Sequence, residues 1–276
     1  MTVDSAVTAK AGTRPAAPGA GAAVTTGQVA ARTIRKYMRS PQLLMATMVG
    51  SAVFLLLFRY IFGGAIRLGT VPYVDFLIPG MVATSMLITG TGAAVGVAED
   101  ADQGLVDRLR SLPVPRIALL TGRVLGDLAI VAWATAVTVA LGFAVGFRLH
   151  GGAGEALLAF ALCVVCGFAF LWMYMCLGLV SPNAQAAQST SMFVYPVIFV
   201  SSAYVPVGTL PGWMRPVAEH QPVTAIANAV RSLALGDPAM AGLDHTAGYW
   251  VLVSLAWSAG IAAVFAPLAV ALYRRS

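Results

Sequence analysis

Apolar residues along this chain gather into runs of about twenty positions or more, and most polar residues fall in the intervals between them. A helix crossing the ~30 Å hydrocarbon core of a bilayer needs about 20 mostly apolar residues, at a rise of about 1.5 Å each. The pattern predicts six such spans, at residues 43–62, 76–97, 119–147, 156–180, 186–203 and 249–272. A closed β-barrel is the other backbone solution in lipid. It needs alternating polarity, whereas residues 126–147 are apolar on every face. The expected fold class is all-α, a polytopic membrane protein with six transmembrane helices.

The intervals carry patterns of their own. Residues 29–40 set Ala30, Ile34, Tyr37 and Met38 on one helical face and Arg32, Arg35, Lys36 and Arg39 on the other. This predicts an amphipathic helix in the headgroup region, its basic face toward anionic phosphates, with Pro41 turning the chain into the first span. Residues 1–28, rich in Ala, Gly, Thr and Pro, read as a disordered cytosolic tail with no cleavable signal segment. Residues 204–248 are too polar and proline-rich to span, yet 223–235 is amphipathic at helical spacing. Pro222 suits the first turn of that helix and Gly236 its stop, so a helix resting at, or dipping into, the outer surface is expected.

Composition agrees. Hydrophobic residues make up 59% and charged residues 10%, with a mean hydropathy of +0.82, where a soluble domain carries roughly a quarter charged residues. Placing the N-terminus inside leaves only Arg59, Arg67, Arg148, Arg215 and Arg231 of the 17 Lys and Arg residues outside. That bias, with an even number of spans, puts both termini in the cytoplasm of a multi-pass inner-membrane protein. The net charge of +6 is then a consequence of topology. No basic patch is interleaved with exposed aromatics, so a nucleic-acid partner is not expected.

The most charged stretch, residues 99–115, lies in a cytosolic interval and contains Glu99, Asp100, Asp102, Gly104, Asp107, Arg108, Arg110, Leu112 and Pro113. Gly104 suits a turn, Asp107 a helix cap and Pro113 a stop. Leu105, Leu109 and Leu112 form one apolar stripe beside the charges. A short amphipathic helix of this kind suits docking of a soluble partner; the plainer alternative is a solvated loop whose charges only set topology. Acid–base catalysis needs carboxylates pushed apart in pKa by burial, and these sit in a wet loop among arginines.

Arg123 and Asp127, four residues apart, share a helix face near the start of the third span and read as a structural ion pair. A lone charge at a helix centre costs roughly 2.5–3.5 kcal/mol on insertion scales, which pairing lowers. Arg59 is placed to snorkel outward from the first span. Beyond these, the span interiors hold no acid, lysine or histidine, so an ion-coupled carrier is not expected. Cys163, Cys166 and Cys176 read as small apolar helix residues. His150, His220 and His245 fall in external loops, with Glu219-His220 read as a loop-packing pair. No phosphate-binding loop, zinc-protease or serine-hydrolase motif occurs, so no catalytic residue, metal or bound cofactor is expected. Gly142 and Gly146 have the spacing that lets membrane helices approach closely. Energy for transport must come from another subunit, or the chain transports nothing.

Asp107-Arg108-Leu109-Arg110-Ser111-Leu112-Pro113, followed by Gly122-Arg123 and Asp127, resembles the first cytosolic loop of ABC type-2 exporter permeases of the daunorubicin-resistance (DrrB-like) group. A more specific run resembles that group's fifth span and outer loop. It comprises residues 196–206, Leu210-Pro211-Gly212-Trp213, Pro222-Val223-Thr224 and Arg231-Ser232-Leu233-Ala234-Leu235-Gly236. The resemblance covers about residues 29–275, and residues 29–276 are accordingly taken as one ABC type-2 transmembrane domain.

The resemblance implies an exporter subunit rather than an enzyme, pairing with a second copy or a similar permease. Two separate ATPase subunits, which bind ATP and magnesium, would drive it. It also implies that residues 29–40 are the interfacial connecting helix, that residues 99–115 contain the coupling helix, and that 223–235 belongs to short re-entrant helices before the last span. The cargo would be hydrophobic or amphipathic, such as a drug, polyketide or lipid. An export permease for a lipid-linked polysaccharide and a non-transporting partner of an ATPase are the alternatives.

Overall fold

The structure, a computed structural model, describes residues 21–63, 72–104, 116–236 and 243–275. Helix α1 (Ala22–Met38) starts before the expected residue 29 and packs lengthwise on α4 (Arg116–Ala144). Helix α2 (Pro41–Leu57) begins on Pro41, whose missing N–H costs nothing in a first turn, and continues into a wider turn at Phe58–Phe62. Helix α3 (Tyr73–Asp102) runs through Pro79, and α5 (Ala153–Val180) packs against α3, α4 and α10 (Ala247–Arg275).

Among the described residues, four helices are long and apolar enough to cross a membrane: Tyr73–Asp102, Ile117–Ala144, Ala153–Val180 and Ala247–Arg274; Met48–Phe62 is a shorter apolar helix. They match the first four and the last of the expected spans. The fifth is corrected. Residues 186–203 do not form one helix but split into α6 (Ala184–Ser191) and α7 (Val194–Phe199). Helix α6 is rich in Gln, Ser and Thr, and Pro196 has no N–H with which to continue a helix through the break.

The expected amphipathic helix is α9 (Pro222–Leu235), preceded by the single turn and a half of α8 (Arg215–His220). Pro222 occupies its first turn, and Gly236 closes it at φ 76°, a left-handed conformation that favours glycine. Helix α9 does not rest on a surface: Val223 to Leu235 are all buried, against α3, α5 and α10. It is a re-entrant helix inside the bundle, at the end opposite α1.

The Gly142–Gly146 expectation is half met. Gly142 lies against Ile78, while Gly146 ends the helix at φ 106° and makes no helix contact of that kind. The close approach falls elsewhere. A Cβ on Gly122 would stand 2.7 Å from the Thr26 carbonyl oxygen, and one on Gly126 would stand 2.6 Å from the Thr33 Cβ. Two glycines four apart make the groove in which α1 lies.

Candidate functional site

Two polar clusters stand out, one at each end of the bundle. The first lies where α1, α3 and α4 meet. Glu99, Asp100 and Asp102 are not in a wet loop but in the last turns of α3, where the negative pole of the helix disfavours acids. Cations from two other helices offset this. Arg123 on α4 donates from Nε to Asp127 Oδ2 at 2.8 Å, and from Nη1 to Asp100 Oδ2. Arg32 on α1 reaches the other oxygen of Asp100 at 3.5 Å, and Lys36 meets Glu99 at 3.2 Å.

Burial ranks these contacts. Lys36 and Glu99 are about half exposed (45% and 42%), so their pair contributes little. The Arg123, Asp100 and Asp127 side chains retain only 11%, 11% and 3% of their exposure. Removing one member there strands a buried charge, at a cost of about 3–5 kcal/mol. The expected Arg123–Asp127 pair is therefore present, and Asp100 completes it as a triad. Nearby, the Tyr37 hydroxyl lies close to Gly92 on α3. Burial pushes its phenol above the ordinary tyrosine range; Asp127 adds to the shift and Arg123 opposes it.

Of the other basic residues expected on an interfacial helix, Arg35 on α1 and Arg39 just past its end are exposed. Gly104 follows α3 in a left-handed conformation. Asp107, Arg108, Arg110, Leu112 and Pro113 lie outside the described residues. Those residues connect the end of α3 to the start of α4, the two helices that Arg123 cross-ties.

The second cluster joins α9 to α3 and to the end of the broken fifth span. Arg231 was expected outside and is wholly buried. Its guanidinium lies over the Phe76 ring at 3.7 Å and donates to the Phe76 carbonyl at 3.2 Å, the Ser202 carbonyl at 2.9 Å and Asn228 Oδ1 at 2.8 Å. Ser202 also donates from its hydroxyl to Asn228 at 2.8 Å and from its N–H to Thr224 at 3.0 Å. The break that ends the fifth span exposes backbone groups, and α9 supplies the side chains that satisfy them. The sequence pattern placed Arg231 among the external charges, on a helix at the outer surface. The i, i+3 spacing of Asn228 and Arg231 inside a mostly apolar helix was the signal that could have found it.

Above this cluster opens a cavity of about 620 Å³. Its floor includes Arg231, Asn228 and Phe76, its rim Glu219, His220, Asp244 and His245, and its wall Tyr249, Trp250 and Trp257. Glu219 and His220 are both exposed on that rim, so the expected packing pair is instead a lining pair. Arg59 does not reach outward with both nitrogens: its Nη1 is buried. The three cysteines are buried in α5, and no group of metal-binding side chains occurs among the described residues. Neither cluster pairs a nucleophile with a base. Both tie together helices distant in the chain.

Comparison with known proteins agrees with that character. The ABC-2 type transporter family matches residues 26–235. The daunorubicin resistance ABC transporter permease protein DrrB1 of Streptomyces coeruleorubidus is 36% identical over 266 residues, covering 96% of this chain and 90% of that protein. The probable doxorubicin resistance ABC transporter permease protein DrrC of Mycobacterium tuberculosis is 30% identical over 83% of this chain and 82% of its own length. Nodulation protein J of Sinorhizobium fredii is 29% identical over 62% of this chain and 66% of its own. The two drug-resistance relatives are ABC transporter permeases, transport components rather than enzymes, and an ABC-2 permease works with an ABC ATPase. The chain belongs to the ABC-2 type transporter family, as the membrane permease subunit of an ABC exporter.

Proposed function

We propose that two copies of an ABC ATPase drive this permease, which pairs with a second copy of itself or a similar permease. Its cargo is a hydrophobic or amphipathic molecule of the drug, polyketide or lipid kind, moved out across the inner membrane. ATP and magnesium belong to the ATPase, and this chain binds no cofactor. In this arrangement the α1 end of the bundle and both termini face the cytosol, and residues 105–115 dock on the ATPase. The drug-resistance relatives support the cargo class.

The observation that carries the reading is the ion-paired base of the docking segment. Arg123 ties the end of α3 to α4, and Arg32 ties α1 to the same carboxylate. A displacement of residues 105–115 is therefore passed to three helices together rather than absorbed at a loose loop. The test is co-reconstitution with the cognate ATPase subunit in proteoliposomes. Cargo should stimulate ATP hydrolysis and move only with ATP. Arg108→Glu or Asp107→Lys should uncouple hydrolysis from movement while the purified bundle stays folded. Normal coupling in both variants would remove the docking role, and hydrolysis without cargo movement in the parent would make the chain a scaffold.

A further inference from the structure

We propose that the cavity above α9 binds a phosphate group, seated against Asn228 and Thr224 with Arg231 as its counter-charge. One helix face sets the floor. Thr224, Asn228 and Arg231 follow i, i+4, i+7 spacing on α9, so all three line the same cavity. Arg231 is wholly buried and forms no ion pair among the described residues. Its neighbours are the Phe76 ring and carbonyl, the Ser202 carbonyl and Asn228. These dipoles accept its N–H groups but leave its charge uncancelled.

The balance of donors and acceptors on that floor has the same sign. Asn228 Oδ1 accepts from both the Ser202 hydroxyl and Arg231, and an arginine only donates, so the amide orientation is fixed. Its Nδ2 is then left with no acceptor among the described residues. Thr224 accepts from the Ser202 N–H, which leaves its own hydroxyl hydrogen to donate. The first turn of α9, from which Thr224 and Ala225 line the cavity, has no side-chain cap, and a helix N-terminus is a positive pole. A surplus of donors around an uncancelled cation suits an oxyanion with several acceptor oxygens. Glu219 and Asp244 oppose it, but they stand exposed on the rim, where water and salt screen them more than the buried guanidinium. At about 620 Å³ the cavity has room for a phosphate together with its ester substituent. A phospholipid headgroup and a free phosphate ester both carry that group. The position at the outer leaflet rests on the exporter reading; the binding does not.

The test uses the purified full chain in dodecyl maltoside, a phosphate-free detergent, without any ATPase. Labelled inorganic phosphate is titrated by equilibrium dialysis at constant low ionic strength, and the melting temperature is followed in parallel. Saturable binding that raises the melting temperature is expected, and chloride at equal ionic strength should give none. Asn228→Asp puts a carboxylate beside Arg231 and removes the Nδ2 donors, yet keeps the oxygen that Ser202 and Arg231 need. It should weaken phosphate about tenfold or more. Glu219→Gln with Asp244→Asn alters only exposed rim residues and should tighten phosphate about twofold or more. No saturable binding in the parent overturns the proposal, and so does folded Asn228→Asp that binds phosphate as tightly as the parent. If Asn228→Asp does not fold, the rim variant decides, and unchanged affinity there overturns the proposal too. Phosphate displaced by dihexanoyl phosphatidylglycerol supports the site and assigns it to a lipid headgroup. Phosphate displaced only by glycerol phosphate supports the site and assigns it to a free phosphate ester. Because no ATPase is present, failed export in proteoliposomes leaves this result standing, and failed binding here leaves the exporter reading standing.

Discussion

The guanidinium of Arg231 lies 3.7 Å over the ring of Phe76 and hydrogen-bonds the carbonyl of that same residue. One arginine on the re-entrant helix thus holds α3 by its side chain and its backbone at once. It also reaches Ser202, so it fixes where the broken fifth span ends. A buried charge without a carboxylate partner among the described residues is tolerable here because carbonyl dipoles, an amide oxygen and an aromatic face surround it.

Arg231→Ala should therefore lower the melting temperature of the detergent-purified protein sharply. Each buried acceptor left unpaired costs about 1–3 kcal/mol. Arg231→Lys should recover only part of the loss, since an ammonium lacks the planar fork that serves three acceptors and a ring together. A melting curve for Arg231→Lys that overlays the parent would refute this account.

Arg123→Gln should destabilise the α1 end by about 3–5 kcal/mol, because Asp100 and Asp127 are left buried against each other's charge. Adding Asp127→Asn should restore part of that loss. The interaction in a double-mutant cycle should be about 0.5–3 kcal/mol. Additive losses, measured by denaturant titration, would mean the two side chains act independently.

Substitution in the α1 groove should separate packing from helix propensity. Gly126→Ala puts a Cβ into Thr33, whereas nothing lies within 4 Å of a Cβ at Gly50. Gly50→Ala should be neutral or stabilising by up to about 1 kcal/mol from helix propensity alone. Gly126→Ala should be destabilising and should raise protease cleavage within α1. Equal behaviour of the two variants in limited proteolysis would exclude the groove.

Tyr37 gives a pH dependence of defined sign. Its folded phenol holds its proton more tightly than an unfolded one. The stabilisation is full below about pH 10, the unfolded value, and is lost as pH rises above it. Tyr37→Phe should flatten the alkaline fall in melting temperature relative to the parent. Parallel curves for the two proteins between neutral and strongly alkaline pH would show that Tyr37 does not contribute.

Much of this was legible in the chain. Long apolar runs marked α2, α3, α4, α5 and α10, because a span must satisfy its backbone internally and so needs unbroken length. The Arg123–Asp127 pair was readable because it is local, one helical turn apart. Asp100 was not, since its partners come from α1 and α4. The break in the fifth span was also hidden: residues 186–203 are apolar enough overall, and a hydropathy average dilutes the Gln and Ser at one end and takes no account of the missing N–H of Pro196.

By itself, then, the amino-acid order determined that this protein is helical and lives in a membrane, which interval is most charged, and, through motif resemblance, its family. Those are properties of composition and short spacing. Only the folded arrangement decided that an apparently external arginine is buried, that α1 lies in a glycine groove, and that Asp100 at the end of α3 is buried against Arg123 instead of facing water. Each depends on helices distant in the chain meeting face to face, and the free energy of a charge in a low-dielectric interior is set by those neighbours rather than by its own segment.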